Sequence, residues 1–211
     1  MPRRFVTAVF DTPVLYAGLR TLFLGGLPTR PVLKLLQATK DDVVLDIGCG
    51  TGFIANMIPF RHYYGFDMDA EAIRRAKLRN IPNTTFVVSM VQDYDFGSVL
   101  PTKAILYGVL HHLSDADAIE LLKRLAASRV QSVVTLDPVY AQFNMINNIL
   151  CRYDRGRYVR TRADINTLIS RTPFAVADEK LHYANTLIAK YILFHLEQSA
   201  APVLAQRASR D

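Results

Sequence analysis

The chain has 211 residues, of which half are apolar, and its net charge is +6. This length suits one compact domain with a full hydrophobic core, and the apolar content excludes an intrinsically disordered chain. Two cysteines, Cys49 and Cys151, are too few for a disulfide framework or a metal cluster, so we predict no metal site and a cytoplasmic location.

The N-terminal segment, residues 1–28, imitates a secretion signal because two arginines precede an apolar stretch. Asp11 and Pro13 interrupt that stretch, and Arg20 prevents the run of ~18 apolar residues that a membrane helix requires. We therefore expect residues 1–39 to form a helical cap, residues 40–198 to form the main domain, and residues 199–211 to be a frayed tail.

The most informative segment is VVLDIGCGTGF, residues 43–53. Its first residues are apolar and β-branched, as in a parallel strand that is buried on both faces. Gly48, Gly50 and Gly52 then permit positive φ angles and close approach of a ligand to the backbone. We expect a helix from about Gly52 to Ile58, and its N-terminus would complete a nucleotide-type pocket.

Two classes of cofactor compete for this loop. The dinucleotide fingerprint G-x-G-x-x-G fails because Phe53 occupies its last position, and the Asp46 carboxylate would repel a pyrophosphate. That carboxylate suits a ligand with an ammonium group. The pattern D-x-G-x-G-x-G resembles motif I of the class I S-adenosylmethionine-dependent methyltransferases. The resemblance implies that the methionine end of the cofactor is faced by Asp46, Gly48, Cys49, Gly50 and Gly52.

Further segments resemble the same family in the same order, over residues 40–137. HYYGFDMD, residues 62–69, predicts a second strand that ends at Asp67 and a helix opened by Asp69. By resemblance, Asp67 accepts the ribose hydroxyls and Met68 flanks the adenine. The alternative for Asp67 is a helix-capping aspartate.

Residues 83–96 resemble the third strand and the adenine-edge motif. Most relatives have an aspartate after this strand, whereas this chain has Ser89 and Met90. The resemblance places Met90 and Val91 in the adenine site, where the adenine amino group would bind to backbone or to Asp93.

Residues 103–115 resemble the fourth strand and exit loop of the small-molecule branch of the family, which places Tyr107 beside the sulfonium. The adjacent His111 and His112 cannot face the same way, so at most one lines the pocket. In relatives the position of His111 often holds a polar residue that points at the acceptor, and His111 is our candidate base. The alternative is a histidine that only hydrogen-bonds to the backbone.

The rest of the chain completes the expected fold. Residues 131–138 predict a fifth strand that ends at Asp137, which could orient an acceptor, although we favour a turn-forming Asp-Pro pair. We expect helices with a polar break over 139–170 and an antiparallel hairpin of strands near 174–182 and 187–196. The resemblance implies a single Rossmann-like α/β domain with a seven-stranded, mostly parallel sheet and helices on both faces.

Residues 151–162, CRYDRGRYVRTR, are rich in arginine and contain two tyrosines. Arginine forks could bind an anionic acceptor, and interleaved basic and aromatic residues could bind nucleic acid. A solvated structural loop that uses Asp154 and Asp164 is the third possibility. Arg157 is the first candidate contact, because Gly156 lets the backbone bend just before it.

We therefore expect methyl transfer from S-adenosylmethionine to an O or N atom of a small metabolite or glycan-like intermediate. The arginines favour an anionic acceptor. The cap would fold over the pocket and bring Tyr16 to the ligand. Nucleic acid is less favoured, because residues 106–109 lack the Asn/Asp-Pro-Pro-aromatic motif of base-amine methyltransferases. Two further functions stay open, those of a non-catalytic cofactor-binding protein and of a membrane-surface protein.

Overall fold

The computed structural model describes residues 29–93, 95–152, 154, 156–183 and 189–199. Most of the expected cap, including Tyr16, and all but the first residue of the expected tail lie outside the described residues. Of the cap, the structure describes helix α1 (Thr29–Leu36), which buries Val32, Leu35 and Leu36.

A central sheet organises the fold, and its main path has the order β3-β2-β1-β4-β5-β8-β7. The first five strands of this path are parallel, while β8 runs antiparallel between β5 and β7. A two-residue strand, β6, pairs with the end of β5. The strands are β1 (Val43–Ile47), β2 (His62–Asp67), β3 (Thr84–Val88), β4 (Lys103–Tyr107), β5 (Ser132–Tyr140), β6 (Arg160–Thr161), β7 (Phe174–Tyr183) and β8 (Lys190–Gln198). The mostly parallel sheet and the final hairpin are thus confirmed.

Helices cover both faces of the sheet, as expected. One hydrophobic cluster joins Leu45 and Ile47 of β1 to helices α3 and α5, and the other joins Val44 to helices α1 and α2. The expected helical region 139–170 contains α4 and α5, separated by a break that includes β6. The helices after α1 are α2 (Ala70–Lys77), α3 (Asp115–Ala127), α4 (Met145–Arg152) and α5 (Arg162–Ile169), and 3-10 turns lie at Ile54–Asn56, Phe96–Val99 and Leu110–His112.

The helix expected from Gly52 to Ile58 is wrong. Only the 3-10 turn Ile54–Asn56 forms there. Gly52 lies at φ +66°, in the left-handed region, so a helix cannot begin at it. Pro59 has no N–H to donate and disfavours a helical Ile58, which blocks continuation of the turn. The glycine loop is therefore followed by a single turn, without the helix N-terminus that the sequence suggested.

Strand β5 continues through Pro138 to Tyr140, so the expected turn at Asp137 is also wrong. The pairing of β5 with β4 ends at Leu136, and its pairing with β6 begins at Val139. Pro138 lies between these two ladders, where its missing N–H is tolerated. Asp137 is consequently held in a regular, buried strand.

Candidate active site

The loop after β1 is fixed by the end of β2. The backbone N–H groups of Gly48 and Cys49 both donate to the carbonyl oxygen of Phe66, at 2.7 and 3.0 Å. The N–H of Gly50 donates to Oδ2 of Asp67 at 2.8 Å. The glycine loop and the expected ribose-binding acid are therefore in direct contact at the carboxyl edge of the sheet.

The three loop glycines have different packing roles. All three have positive φ angles, but a Cβ at Gly48 would lie 2.7 Å from Cγ2 of Val109, and one at Gly52 would lie 2.7 Å from the Phe86 ring. At Gly50 a Cβ would meet no atom within 4 Å. Gly48 and Gly52 thus permit tight packing, whereas Gly50 borders open space where a ligand could approach the backbone.

Asp67 connects this loop to the start of α2. Its Oδ1 accepts a hydrogen bond from the N–H of Asp69 at 2.9 Å. The helix cap is Asp69, which accepts from the N–H groups of Glu71 and Ala72. The side chain of Asp67 is partly exposed, so the remaining lone pairs of its oxygens can accept further hydrogen bonds, as ribose hydroxyls require.

Asp46 is buried beneath the loop, with 1% of its surface exposed. Its Oδ2 accepts a short hydrogen bond from the Tyr63 hydroxyl, while its Oδ1 has no hydrogen-bond partner among the described residues. Burial raises the pKa of Asp46 to about 7, although the Tyr63 hydrogen bond opposes the increase. Because a buried acceptor without a donor is destabilising, an ammonium group at Oδ1 would satisfy it. This orphaned oxygen and the space at Gly50 fit the methionine end of S-adenosylmethionine.

Apolar side chains lie beyond the carboxyl ends of β2 and β3. Met68 is 75% exposed and Met90 is 52% exposed, while Val91 is half-buried. Exposed apolar side chains at this edge can flank a flat ring, and their adenine contacts stay predictions. Asp93, the alternative partner of the adenine amino group, is exposed.

Tyr107, the last residue of β4, lies across the sheet edge from these groups. Its hydroxyl is 3.0 Å from Oγ1 of Thr29, and its ring meets the Phe53 ring edge-on at 5.9 Å between centroids. These contacts join the start of α1 to the residue that follows the glycine loop. The first described residue of the cap therefore lies at the carboxyl edge of the sheet.

His111 is buried between two carboxylates. Its Nδ1 is 2.7 Å from Oδ1 of Asp137, and its Nε2 is 3.3 Å from Oδ1 of Asp154. Burial disfavours the charged imidazole, but these partners outweigh burial and raise the pKa of His111 to about 9. The charged imidazole, in which both ring nitrogens donate to the carboxylates, is therefore favoured. The neighbouring His112 is exposed, so only one of the two histidines faces the interior.

The arginine-rich segment, residues 151–162, packs over His111. The N–H of Tyr158 donates to the His111 carbonyl oxygen at 2.9 Å. A Cβ at Gly156 would lie 2.0 Å from Cδ2 of His111. Gly156 therefore permits close approach of the backbone to the histidine ring, and a turn at residues 157–158 follows it directly.

Arg160 is a positioning residue whose contacts the sequence analysis did not anticipate. Its buried guanidinium donates to the carbonyl oxygens of Leu110 and Leu113, both at 2.7 Å, and pairs with Asp115. It thereby holds the turn that contains His111. The one sequence signal is its position in the polar break between two helices, which does not reveal these partners.

The other described charged residues of the segment differ in whether they contact a second described residue. Arg162 pairs with Glu179. Arg152 and Arg157 have exposed side chains and form no ion pair with another described residue. Asp154 contacts His111. The N-cap of α5 is Thr161, and the Asp164 carboxylate accepts hydrogen bonds from the N–H and hydroxyl of Thr161.

Within the described ranges, no helix has the length and apolar character needed to cross a bilayer.

Comparison with known proteins agrees with this geometry. Residues 44–131 match the protein family described as "Methyltransferase domain", whereas no curated protein matches the chain. The magnesium protoporphyrin IX methyltransferase of Synechocystis PCC 6803 with bound SAH has 17% identity and a TM-score of 0.58, over 75% of this chain and 74% of that one. The N-methyltransferase NodS of Bradyrhizobium japonicum WM9 has 14% identity and a TM-score of 0.62, over 80% and 93%.

A third similar structure is the N,N-8-amino-8-demethyl-D-riboflavin dimethyltransferase of Streptomyces davawensis, with 22% identity and a TM-score of 0.62. The match covers 88% of this chain but only 56% of that one. Such low identities show a common fold. Residues 44–131 thus match a methyltransferase domain, and the chain shares the Rossmann-like fold of these methyltransferase structures.

Proposed function

We propose that the chain is an S-adenosylmethionine-dependent methyltransferase. It transfers the methyl group of this cofactor to an O or N atom of a small, anionic metabolite or glycan-like intermediate. Two of the similar structures are methyltransferases of a magnesium porphyrin and of a riboflavin derivative, which supports a small acceptor. The positive sulfonium already makes the thioether a good leaving group. The main task of the protein is then to hold the acceptor atom in line with the methyl group, at about 3–3.5 Å.

The anionic part of the proposal rests on Arg157, whose exposed guanidinium forms no ion pair with another described residue. Its neighbours in sequence, Gly156 and Tyr158, both contact His111. Arg157 and Arg171 line an open cleft of about 340 Å³, and neither forms an ion pair with a described residue. The cleft is also lined by Asp115, which pairs with Arg160, and by Asp164, which accepts hydrogen bonds from Thr161. Two uncommitted guanidinium groups can bind a carboxylate or phosphate.

This cleft adjoins the cluster of His111 and Asp137. Tyr158 and Arg160 line both the cleft and a small cavity against these two residues. We propose that Asp137 helps to orient the acceptor. His111 remains the candidate general base, and it can accept a proton only after the acceptor displaces Asp154, because losing that carboxylate lowers the pKa of the imidazole. The contact of Nε2 with Asp154 is the longer of its two, 3.3 Å against 2.7 Å, so Nε2 is the nitrogen that an acceptor would take over.

The experiment measures S-adenosylhomocysteine formation with a panel of anionic and neutral acceptors. Arg157→Gln should raise the KM of an anionic acceptor several-fold and leave kcat and cofactor affinity unchanged, because a charge-assisted contact is lost. Lys123→Gln, at an exposed position on α3, is the matched charge control and should change none of these values. Equal KM values for Arg157→Gln and wild type would remove the anionic-acceptor proposal.

A nucleic-acid acceptor would produce a different result. Phosphate contacts would give binding to unrelated oligonucleotides that weakens steeply as salt concentration rises. The same Arg157→Gln preparation would then lose affinity for all of these oligonucleotides alike. Such an outcome would replace the small acceptor with RNA.

A further inference from the structure

An exposed apolar stripe covers one side of α4 and the loop before it. Its members are Phe143, Met145, Ile146 and Ile149, with exposed fractions of 94%, 78%, 58% and 53%. Positions 145 and 149, and 146 and 149, are neighbours on a helix surface. The stripe is therefore contiguous, unlike apolar residues scattered singly over a surface.

Phe143 is held outward in an unfavourable conformation. Its φ angle is +60°, in the left-handed region that bulky side chains rarely adopt. An aromatic residue gains nothing within the described fold from this strained and almost fully exposed position. Strain of this kind is typical of sites that contact a ligand or a partner.

The opposite side of α4 is firmly attached to the sheet, so the orientation of the stripe is well defined. The Asn147 side chain donates to the Val139 carbonyl oxygen at 2.8 Å and accepts from the N–H of Lys190 at 2.7 Å. The Asn148 side chain exchanges two hydrogen bonds with the backbone of Ala141, both at 2.9 Å. The apolar face is thus turned away from the core by specific polar contacts.

The size and charge of the stripe indicate what covers it. Together the four residues expose an area smaller than that of three whole side chains, each of which has at most ~250 Å². This exposed area is below the ~800 Å² that one partner buries in a standard protein interface. Arg152, exposed and one turn after Ile149, has no ion pair with a described residue and lies on the same side of the helix. A short apolar face with a basic edge, on a chain of net charge +6, matches an anionic bilayer surface.

We propose that the apolar stripe of α4 docks on the surface of an anionic lipid bilayer, with its side chains inserted among the lipids and Arg152 at the headgroups. The proposal goes beyond the methyl-transfer function and does not depend on it. Because α4 directly follows β5, which carries Asp137, docking would hold the carboxyl edge of the sheet beside the membrane.

The test is co-sedimentation of the full chain with vesicles of phosphatidylcholine alone and of phosphatidylcholine mixed with phosphatidylglycerol. The wild type should bind the mixed vesicles more strongly, and added salt should weaken that binding. Ile146→Gln and Phe143→Asn should each reduce the bound fraction about tenfold, since each removes one inserted apolar side chain. Asparagine tolerates the left-handed conformation at position 143, and thermal melting would verify that both variants fold.

Matched controls distinguish docking through the stripe from nonspecific adsorption to vesicles. Leu78→Gln removes a 65% exposed apolar side chain at the end of α2 and should not change binding. Arg152→Gln should weaken binding to the mixed vesicles only, whereas Lys123→Gln should have no effect. Absence of wild-type binding, or equal binding by Ile146→Gln, would overturn the proposal. A dimer that Ile146→Gln dissociates, without vesicle binding, would assign the stripe to a second copy instead.

Discussion

Asp46 and His111 are both buried ionisable groups, and their partners differ in number. One oxygen of Asp46 has no donor among the described residues, so burial keeps its pKa near 7 and favours the neutral acid. His111 has a carboxylate at each ring nitrogen, so the charged form is favoured despite burial. A missing partner at Asp46 indicates a ligand, whereas a complete set at His111 indicates a fixed arrangement.

The pKa of Asp46 predicts how cofactor affinity depends on pH. An ammonium group at Oδ1 favours the carboxylate, so binding should release the Asp46 proton below pH of about 7. The association constant of S-adenosylhomocysteine should then rise by up to about tenfold per pH unit and level off above neutrality. Calorimetry at pH values below and above neutrality measures this association constant. Asp46→Asn should flatten the profile, while a wild-type affinity that does not vary with pH would exclude contact with the ammonium group.

His111 predicts a loss of stability at alkaline pH. Its pKa rises from an ordinary value of ~6.5 to about 9 on folding, so the folded protein binds the proton more tightly than the unfolded chain does. The resulting stabilisation, at most about 3 kcal/mol, is complete below ~6.5 and is lost as pH rises through about 9. Urea unfolding at the two ends of this range should show the loss in wild type and in His112→Gln. If His111→Gln shows the same loss, the stabilisation comes from elsewhere.

At the scale of elements, Arg160 attaches β6 and the segment before it to the turn at Leu110–His112. Arg160→Gln should lower the free energy of unfolding by about 2–4 kcal/mol, because buried carbonyl oxygens lose their donor. Urea unfolding measures this change. Arg162→Gln removes an ion pair whose arginine is 71% exposed and should cost less than ~1 kcal/mol. Equal effects of the two variants would show that Arg160 does not hold the turn.

The strands β1 to β4 could be predicted because each is a short apolar run followed by turn residues. The helix after the glycine loop could not, since the left-handed Gly52 and Pro59 act locally against the helix that we expected to follow the strand and the glycine turn. The continuation of β5 through Pro138 depends on where its neighbours begin and end, which the sequence does not reveal.

The sequence likewise predicted only part of the candidate site. The contacts of Asp46 and Asp67 follow a spaced motif, so the sequence pointed to both residues. Arg160 bonds to Leu110 across 50 residues of chain, and His111 meets Asp137 across 26. Such long-range partners depend on the topology of the sheet. The sequence alone therefore suggested isolated arginines and histidines where the structure has a connected network.

For the whole molecule, the parallel arrangement of β1 to β5 brings the candidate groups at the strand ends to one edge of the sheet. The glycine loop and Asp67 lie beyond β1 and β2, while Tyr107 and Asp137 lie at the ends of β4 and β5. Ligands of open α/β sheets bind at this carboxyl edge. We infer that the part of this edge beyond β1 and β2 holds S-adenosylmethionine.

Calorimetric titration of the full chain with S-adenosylhomocysteine measures whether the cofactor binds at this edge. Wild type should bind with one-to-one stoichiometry, and Asp67→Ala should bind about 10- to 100-fold more weakly, a loss of about 1.5–3 kcal/mol, because the ribose hydroxyls lose their acceptor. Asp69→Ala, which removes the neighbouring helix cap, should lower stability by ~1 kcal/mol and keep the wild-type affinity. Absence of binding by wild type, or undiminished affinity in a folded Asp67→Ala variant, would contradict the assignment of this edge to the cofactor.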